Sequence, residues 1–98
     1  MRRGSVAVPI FMIERRYAEV ITPDADGARE INFINDDENV RWLFSFLAAD
    51  KRKTYCLYEA ESAEAIRSAA RRAGLPADVI VEVSDRVLPD GSLSPVAS

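Results

Sequence analysis

The chain has 98 residues, a hydrophobic fraction of 48%, a charged fraction of 30% and a net charge of −3. This composition is typical of one folded domain with a modest core, and it argues against disorder. The acidic balance argues against general binding to nucleic acid or anionic membranes, which needs a basic surface. The single cysteine cannot form a disulfide within the chain and favours a reducing, cytoplasmic compartment.

The N-terminal stretch MRRGSVAVPIFMIERR has the basic start and short apolar run of a signal peptide. Pro9 interrupts the run, Glu14 ends it, and no small-residue cleavage site follows, so we do not expect a signal peptide. No segment approaches the roughly 18 apolar residues of a membrane helix. We expect a single domain over 1–98 with an ordered core at about 8–84, and flexible segments at 1–6 and 85–98, which are basic or rich in Gly, Ser and Pro.

The first half of the chain predicts a strand, a helix and a second strand. The first strand runs from about Ile10 to Arg15, where β-branched and aromatic residues follow a proline. A helix then follows, with Thr22 as its cap, Pro23 at its first position and Asn39 as its left-handed stop. The apolar segment VRWLFSFLA is the second strand.

The second half predicts a strand, a helix and a last strand. After the turn ADKRK, the segment TYCLYEA returns as the partner of a hairpin. Ser62 caps the next helix and Gly74 ends it, and VIVEV is the last strand. The order β-α-β-β-α-β with right-handed crossovers predicts an α+β, ferredoxin-like fold. Its four-stranded antiparallel sheet has both helices on one face and leaves the other face open.

Side chains alternate along a strand, so each strand divides into two sets. An alanine-rich second helix needs an aliphatic floor, which we assign to Phe11, Ile13, Leu43, Leu47, Cys56 and Val81. The open face then receives the aromatic set Met12, Trp42, Phe44, Phe46, Tyr55 and Leu57. Because such a patch is a liability on a monomer, we predict that this face is a homodimer interface.

The same division places three carboxylates, Glu14, Glu59 and Glu82, on the open face. The first and third strands are expected to be parallel neighbours, which would bring Glu14 and Glu59 side by side. Neighbouring carboxylates repel, so they share a cation or one keeps its proton. Three interpretations follow: a divalent metal site, a general acid/base pair, or rim residues in ion pairs with Arg15, Arg41 or Lys53. The last is the commonest for surface carboxylates.

Other candidate sites are weaker. Cys56 has no histidine to act as its base, because the chain contains none, and a cysteine in mid-strand is usually a small buried hydrophobe. One cysteine without histidine also cannot form a usual zinc site. The acidic run at 36–38 is interpreted as a solvated helix end, since its surroundings fail the calcium-loop pattern.

The segments FMIERRY, VRWLFSF and ADKRKTYCLYEAESAEAIRSAARRAGLPADVIVEV together resemble domain-of-unknown-function family 4242, the nickel-binding-protein-like family. The resemblance spans roughly residues 9–83, is most specific over 53–83, and departs from the family's usual proline at Glu61. It implies a ferredoxin-like homodimer, no established catalysis for most members, and nickel bound on the dimer surface in one branch. Nickel favours imidazole ligands, so the lack of histidine puts nickel in doubt here.

Two functions are consistent with these residues. The favoured one is a non-enzymatic, dimeric binding protein that holds a divalent metal ion or small ligand at the open face or dimer interface. The alternative is a small dimeric enzyme with an apolar pocket at that face and Glu14 or Glu59 as general acid or base. The first is favoured because no complete catalytic set can be assembled from these residues.

Overall fold

The structure is a computed structural model, described here for residues 8–96. Its elements, in chain order, are strand β1 (Ile10–Arg16), helix α1 (Ala25–Asp37), strands β2 (Arg41–Leu47) and β3 (Lys53–Glu59), helix α2 (Ala63–Ala73), and strands β4 (Val79–Val83), β5 (Asp85–Val87) and β6 (Leu93–Pro95). The first six elements confirm the predicted β-α-β-β-α-β order, with boundaries shifted by a few residues at most.

The main sheet has the strand order β2-β3-β1-β4, and every neighbouring pair is antiparallel. Ile34 of α1 and Ile66 of α2 pack into one core cluster with Phe11, Ile13 and Tyr58 of the central strands. Both helices therefore cover the same face of the sheet, which confirms the ferredoxin-like α+β fold.

The prediction that β1 and β3 are parallel is wrong. They are antiparallel neighbours, in which Ile10 lies opposite Glu59 and Glu14 lies opposite Tyr55. The α1 crossover makes β2 parallel to β1, and a tight hairpin reverses the chain into β3, so β3 must oppose both. Glu14 and Glu59 are consequently at opposite ends of the pair, roughly 14 Å apart along the strands.

The helix ends follow local capping chemistry. Asp24, rather than Thr22, is the N-cap of α1, and its carboxylate accepts a hydrogen bond from the Gly27 N–H at 2.7 Å. Ser62 caps α2 as predicted and accepts from the Ala65 N–H at 3.2 Å. Gly74 ends α2 in the left-handed region at φ 70°, where a residue without Cβ carries no steric penalty.

Two edge strands present different residues from those predicted. A bulge in β2 between Trp42 and Phe44 inserts one residue and resets the alternation. Trp42 therefore lies opposite Tyr58 on the helix side, while Phe44 lies opposite Leu57 on the open side. In β4 the pairing of Val81 with Met12 puts Val81 on the open face, contrary to its predicted place in the aliphatic floor.

The structure also contains a hairpin that was not predicted from the sequence. Strands β5 and β6 pair antiparallel after β4, with Val87 opposite Leu93. Among residues 8–96, the substantial packing of this hairpin is between its own two strands. The hairpin falls within the segment 85–98, which was expected from the sequence to be flexible. The other expected flexible segment, 1–6, lies outside the described residues.

No helix within 8–96 is long and apolar enough to span a membrane.

Candidate functional site

The open face of the sheet carries five of the six residues predicted for it. Met12, Phe44, Phe46, Tyr55 and Leu57 share this face through their mutual pairing. Phe44 is 51% exposed and Phe46 is 60% exposed, and their rings meet edge to face with centroids 5.5 Å apart. Trp42, the sixth residue, lies on the opposite face. The result is a continuous apolar surface across the sheet.

The carboxylate of Glu14 at the edge of this face is held by two cations. Its Oε2 atom is 2.8 Å from Nε of Arg16 and 3.3 Å from Nζ of Lys53. The hydrogen bond from Arg16 is the largest effect and lowers the pKa of Glu14 below its usual value; burial opposes it, and the hydrogen bond from Lys53 lowers the pKa further. A carboxylate held in its ionised form is a poor general acid at neutral pH, which argues against Glu14 in that role.

The other two predicted ligands lie elsewhere. Glu59 pairs with Arg41 at 3.2 Å, as the rim interpretation predicted, and Glu82 lies opposite Phe11, on the helix side of the edge strand. Arg15, also offered as a rim partner, is on the helix side as well. Within residues 8–96 no group of three or more His, Cys, Asp or Glu is placed to hold a metal ion. These residues therefore do not fit a nickel centre.

A cavity of about 390 Å³ lies on the other face of the sheet, beneath the N-terminal half of α1. Its walls come from β1, β2, β3, α1, the connection between β1 and α1, and Leu75, which follows the C-cap of α2. The lining residues are Arg15, Tyr17, Ile21, Thr22, Pro23, Asp24, Gly27, Ala28, Ile31, Trp42, Ser45, Leu47, Thr54, Cys56, Tyr58 and Leu75. The strand patterns predicted an apolar pocket on the open face instead and gave no indication of this one.

Side-chain size explains why the cavity exists. Gly27 and Ala28 are the residues that α1 turns toward the sheet in its first turns, and the sheet beneath offers Ser45 and Thr54. About two turns further on, Ile34 packs on the core and Asn35 is buried. The helix is therefore held at its C-terminal half by large side chains, while small residues leave a space under its N-terminal half.

Arg15 is the unusual residue of this cavity, because it is charged and only 2% exposed. One of its terminal nitrogens donates to the Pro76 carbonyl at 2.6 Å, and its guanidinium lies over the Tyr58 ring, 5.6 Å from the centroid. Among residues 8–96 no carboxylate lies within ion-pair distance of it. A buried charge without a counter-charge is unfavourable unless something else compensates it.

Two aromatic residues complete the wall next to Arg15. Trp42 stacks on Tyr58 with centroids 6.3 Å apart and planes 7° from parallel, and its Nε1 donates to Oγ of Ser45 at 2.9 Å. Burial raises the pKa of Tyr58, and the charge of Arg15 partly opposes that increase. The one indication in the sequence that Arg15 lies on the helix-covered face was the alternation along β1, which put it in the same set as Phe11 and Ile13.

Comparison with known proteins agrees with this fold. A family model described as "Nickel responsive protein SCO4226-like" matches residues 11–83. The crystal structure of SCO4226 from Streptomyces coelicolor A3(2) is 34% identical, with a TM-score of 0.66, covering 76% of this chain and 94% of that chain. No curated protein matches the chain. The family number 4242 suggested by the sequence motifs is not confirmed. The hairpin β5–β6 lies beyond residues 11–83, which the family model matches.

Proposed function

Because the chain belongs to the family of nickel-responsive SCO4226-like proteins, we propose that it is a non-enzymatic, cytoplasmic binding protein that works as a homodimer. The observation that supports this most is the open face of the sheet. Phe44, Phe46 and Val81 are all at least half exposed there, and Met12 beside them is 36% exposed, whereas Leu57 of the same face is already buried within the chain. A second copy would remove this surface from water by sheet-on-sheet packing.

The hairpin β5–β6 supports the same proposal. Val87 is 73% exposed and Leu93 is 65% exposed, although they form an opposed pair of apolar residues. An isolated two-stranded hairpin is marginally stable in water. Since the hairpin directly follows β4, whose Val81 belongs to the open face, it is well placed to pack on the partner in a dimer.

The dimer is tested by sedimentation velocity with two matched variants. Phe46→Glu puts a charge in the centre of the open face and should convert the dimer to a monomer. Phe33→Glu is the control, because Phe33 is 72% exposed but belongs to α1 on the other face, and this variant should stay dimeric. A wild-type chain that sediments as a monomer at high concentration contradicts the proposal.

The family's description favours a second candidate function, in which a divalent cation binds at the dimer rim. A single described chain offers no cluster of ligands, so such a site would combine Glu14 and Glu59 from two chains, while Glu82 is on the helix side and would not take part. Calorimetric titration with nickel, cobalt, manganese and magnesium tests it. Binding that is lost in the Glu14→Gln, Glu59→Gln double variant supports the cation site. Absence of binding, or binding unchanged in that variant, removes it.

A further inference from the structure

We propose that the cavity beneath α1 binds a small apolar molecule that bears one carboxylate, and that the carboxylate pairs with Arg15. This inference deepens the binding function proposed above and rests on it, since it gives that function a place and a class of ligand. It concerns the helix-covered face, so it does not require the open face to form a dimer.

Charge is the first reason for this assignment. The Arg15 guanidinium has five N–H donors. It donates to the Pro76 carbonyl and interacts with the Tyr58 hydroxyl, and neither partner carries a negative charge. The acidic residue of the lining, Asp24, directs its carboxylate to the Gly27 N–H as the helix cap. Asp78, two residues after Pro76, accepts from the Arg16 N–H instead. An anion in the cavity would supply the missing counter-charge.

The form of the cavity is the second reason. Its volume of about 390 Å³ is within the range of small-molecule sites. Its larger walls are the apolar side chains of Ile21, Ile31, Leu47, Leu75 and Trp42. A charged end on an otherwise apolar molecule therefore matches one buried cation among apolar walls.

The geometry of a guanidinium favours a carboxylate over other ions. A planar guanidinium matches a carboxylate through two parallel hydrogen bonds. A phosphate dianion would bring a second negative charge that no other cation of the described lining can balance. A cationic ligand would be repelled by Arg15. One carboxylate is the charge that this cavity can accommodate.

A way into the cavity is provided by the connection between β1 and α1. Thr22, Pro23 and Asp24 are lining residues that are themselves exposed, so they form the mouth. The connection is fixed to the β2–β3 turn by the Ile21 N–H, which donates to the Lys51 carbonyl at 2.8 Å. The mouth is thus part of the folded structure and lies away from the open face.

Trp42 is the only tryptophan of the chain and lines the cavity, so its fluorescence reports binding directly. We expect octanoate to change this fluorescence saturably, with one site per chain by calorimetry. Octan-1-ol, which has the same chain length without the charge, should bind at least about tenfold more weakly, since a hydrogen bond to a charged group is worth that much. Equal binding of octanoate and octan-1-ol would overturn the role of Arg15.

Two variants test the site. Arg15→Met should weaken octanoate about tenfold or more and leave octan-1-ol unchanged, whereas Arg15→Lys should restore part of the loss because the charge returns. Ala28→Leu fills the cavity from the helix and keeps Arg15, so it should abolish binding of both probes in a folded protein. Octanoate binding that survives Ala28→Leu would show that the cavity is not the site.

The same measurements separate this inference from the dimer. Phe46→Glu should give a monomer that still binds octanoate with wild-type affinity, since Phe46 belongs to the other face. If the wild-type chain is a monomer but binds octanoate, only the dimer is wrong. If it is a dimer and octanoate does not bind, only the carboxylate site is wrong.

Discussion

The Arg15 guanidinium carbon lies 5.6 Å from the centroid of the Tyr58 ring, and this contact stabilises a buried arginine that has no carboxylate of residues 8–96 within ion-pair distance. The attraction between a cation and an aromatic face grows when water is excluded. Tyr58 is itself supported by Trp42, which stacks on it at 6.3 Å. The three side chains form one wall of the cavity. Tyr58, which contacts Arg15, also belongs to the core cluster.

Tyr58 should make the protein sensitive to alkali. Burial raises its pKa above the usual 10.0, so the stability that the neutral phenol contributes is complete below the unfolded pKa and is lost as pH rises through the folded pKa. Denaturant unfolding should show a falling stability above about pH 10, and this fall should be smaller in Tyr58→Phe. Lys53, whose pKa is raised by its hydrogen bond to Glu14, contributes the remainder. Tyr55→Phe, on the open face, is the control and should retain the part that comes from Tyr58. An unchanged alkaline profile in Tyr58→Phe would contradict the assignment.

The acidic end of α1 should contribute to stability through Arg72 of α2. Arg72 lies 2.9 Å from Glu38 and 3.1 Å from Asp37, and its hydrogen bond is the largest effect that lowers the pKa of Glu38 below 4.5. The stability from this pair is present above the unfolded pKa and lost as pH falls through the folded pKa. Glu38→Gln should therefore be less stable than wild type at pH 7, and the difference should shrink as the pH falls below the usual pKa and disappear once Glu38 is protonated in the folded protein.

The control for that experiment is Glu61→Gln. Glu61 is exposed and makes no ion pair within residues 8–96, so the substitution should change stability little at either pH. A loss of stability in Glu61→Gln equal to that in Glu38→Gln would attribute the effect to overall charge rather than to the pair with Arg72.

Of the glycines within residues 8–96, Gly74 should be the most sensitive to substitution. Its φ of 70° is left-handed, and a Cβ there would meet no atom within 4 Å, so Gly74→Ala should cost only the conformational penalty of about 1 kcal/mol. Gly91, at φ 87°, is the matched control in the hairpin turn. Gly91→Ala should affect the hairpin and leave the midpoint of urea unfolding of the main domain nearly unchanged. Equal shifts of that midpoint in both variants would contradict the prediction.

Cys56 should be chemically inert in the folded protein. It is 4% exposed, and its thiol donates to Oγ1 of Thr54 at 3.5 Å on the helix-covered face. A thiol without access to solvent and without an activating base does not react as a thiolate. Reaction with a bulky disulfide reagent should be slow in the native protein and fast in denaturant. Rapid native reaction would show that the thiol is reachable through the cavity.

The site was predicted only in part, for reasons that individual residues make clear. Alternation along the strands correctly placed Phe44, Phe46 and Tyr55 on the open face, because that pattern is local. It failed for Trp42, since a bulge is an extra residue in one strand whose position depends on the partner strand. It also failed for Glu82 and Val81, whose faces are set by the register of β4 on β1. Glu14 and Glu59 do share the open face, and the error for them was the assumed parallel pairing of β1 and β3.

The sequence by itself determined the order of the elements and the ends of α2, because periodicity and capping act within a few residues. Ser62 and Gly74 needed no tertiary information. Only the tertiary structure decided that Arg15 is buried without a carboxylate beside it and that a cavity lies above it. Both depend on the distance between α1 and the sheet. Small residues under the N-terminal half of α1 and large ones under its C-terminal half set that distance, and these residues meet only when the whole domain packs.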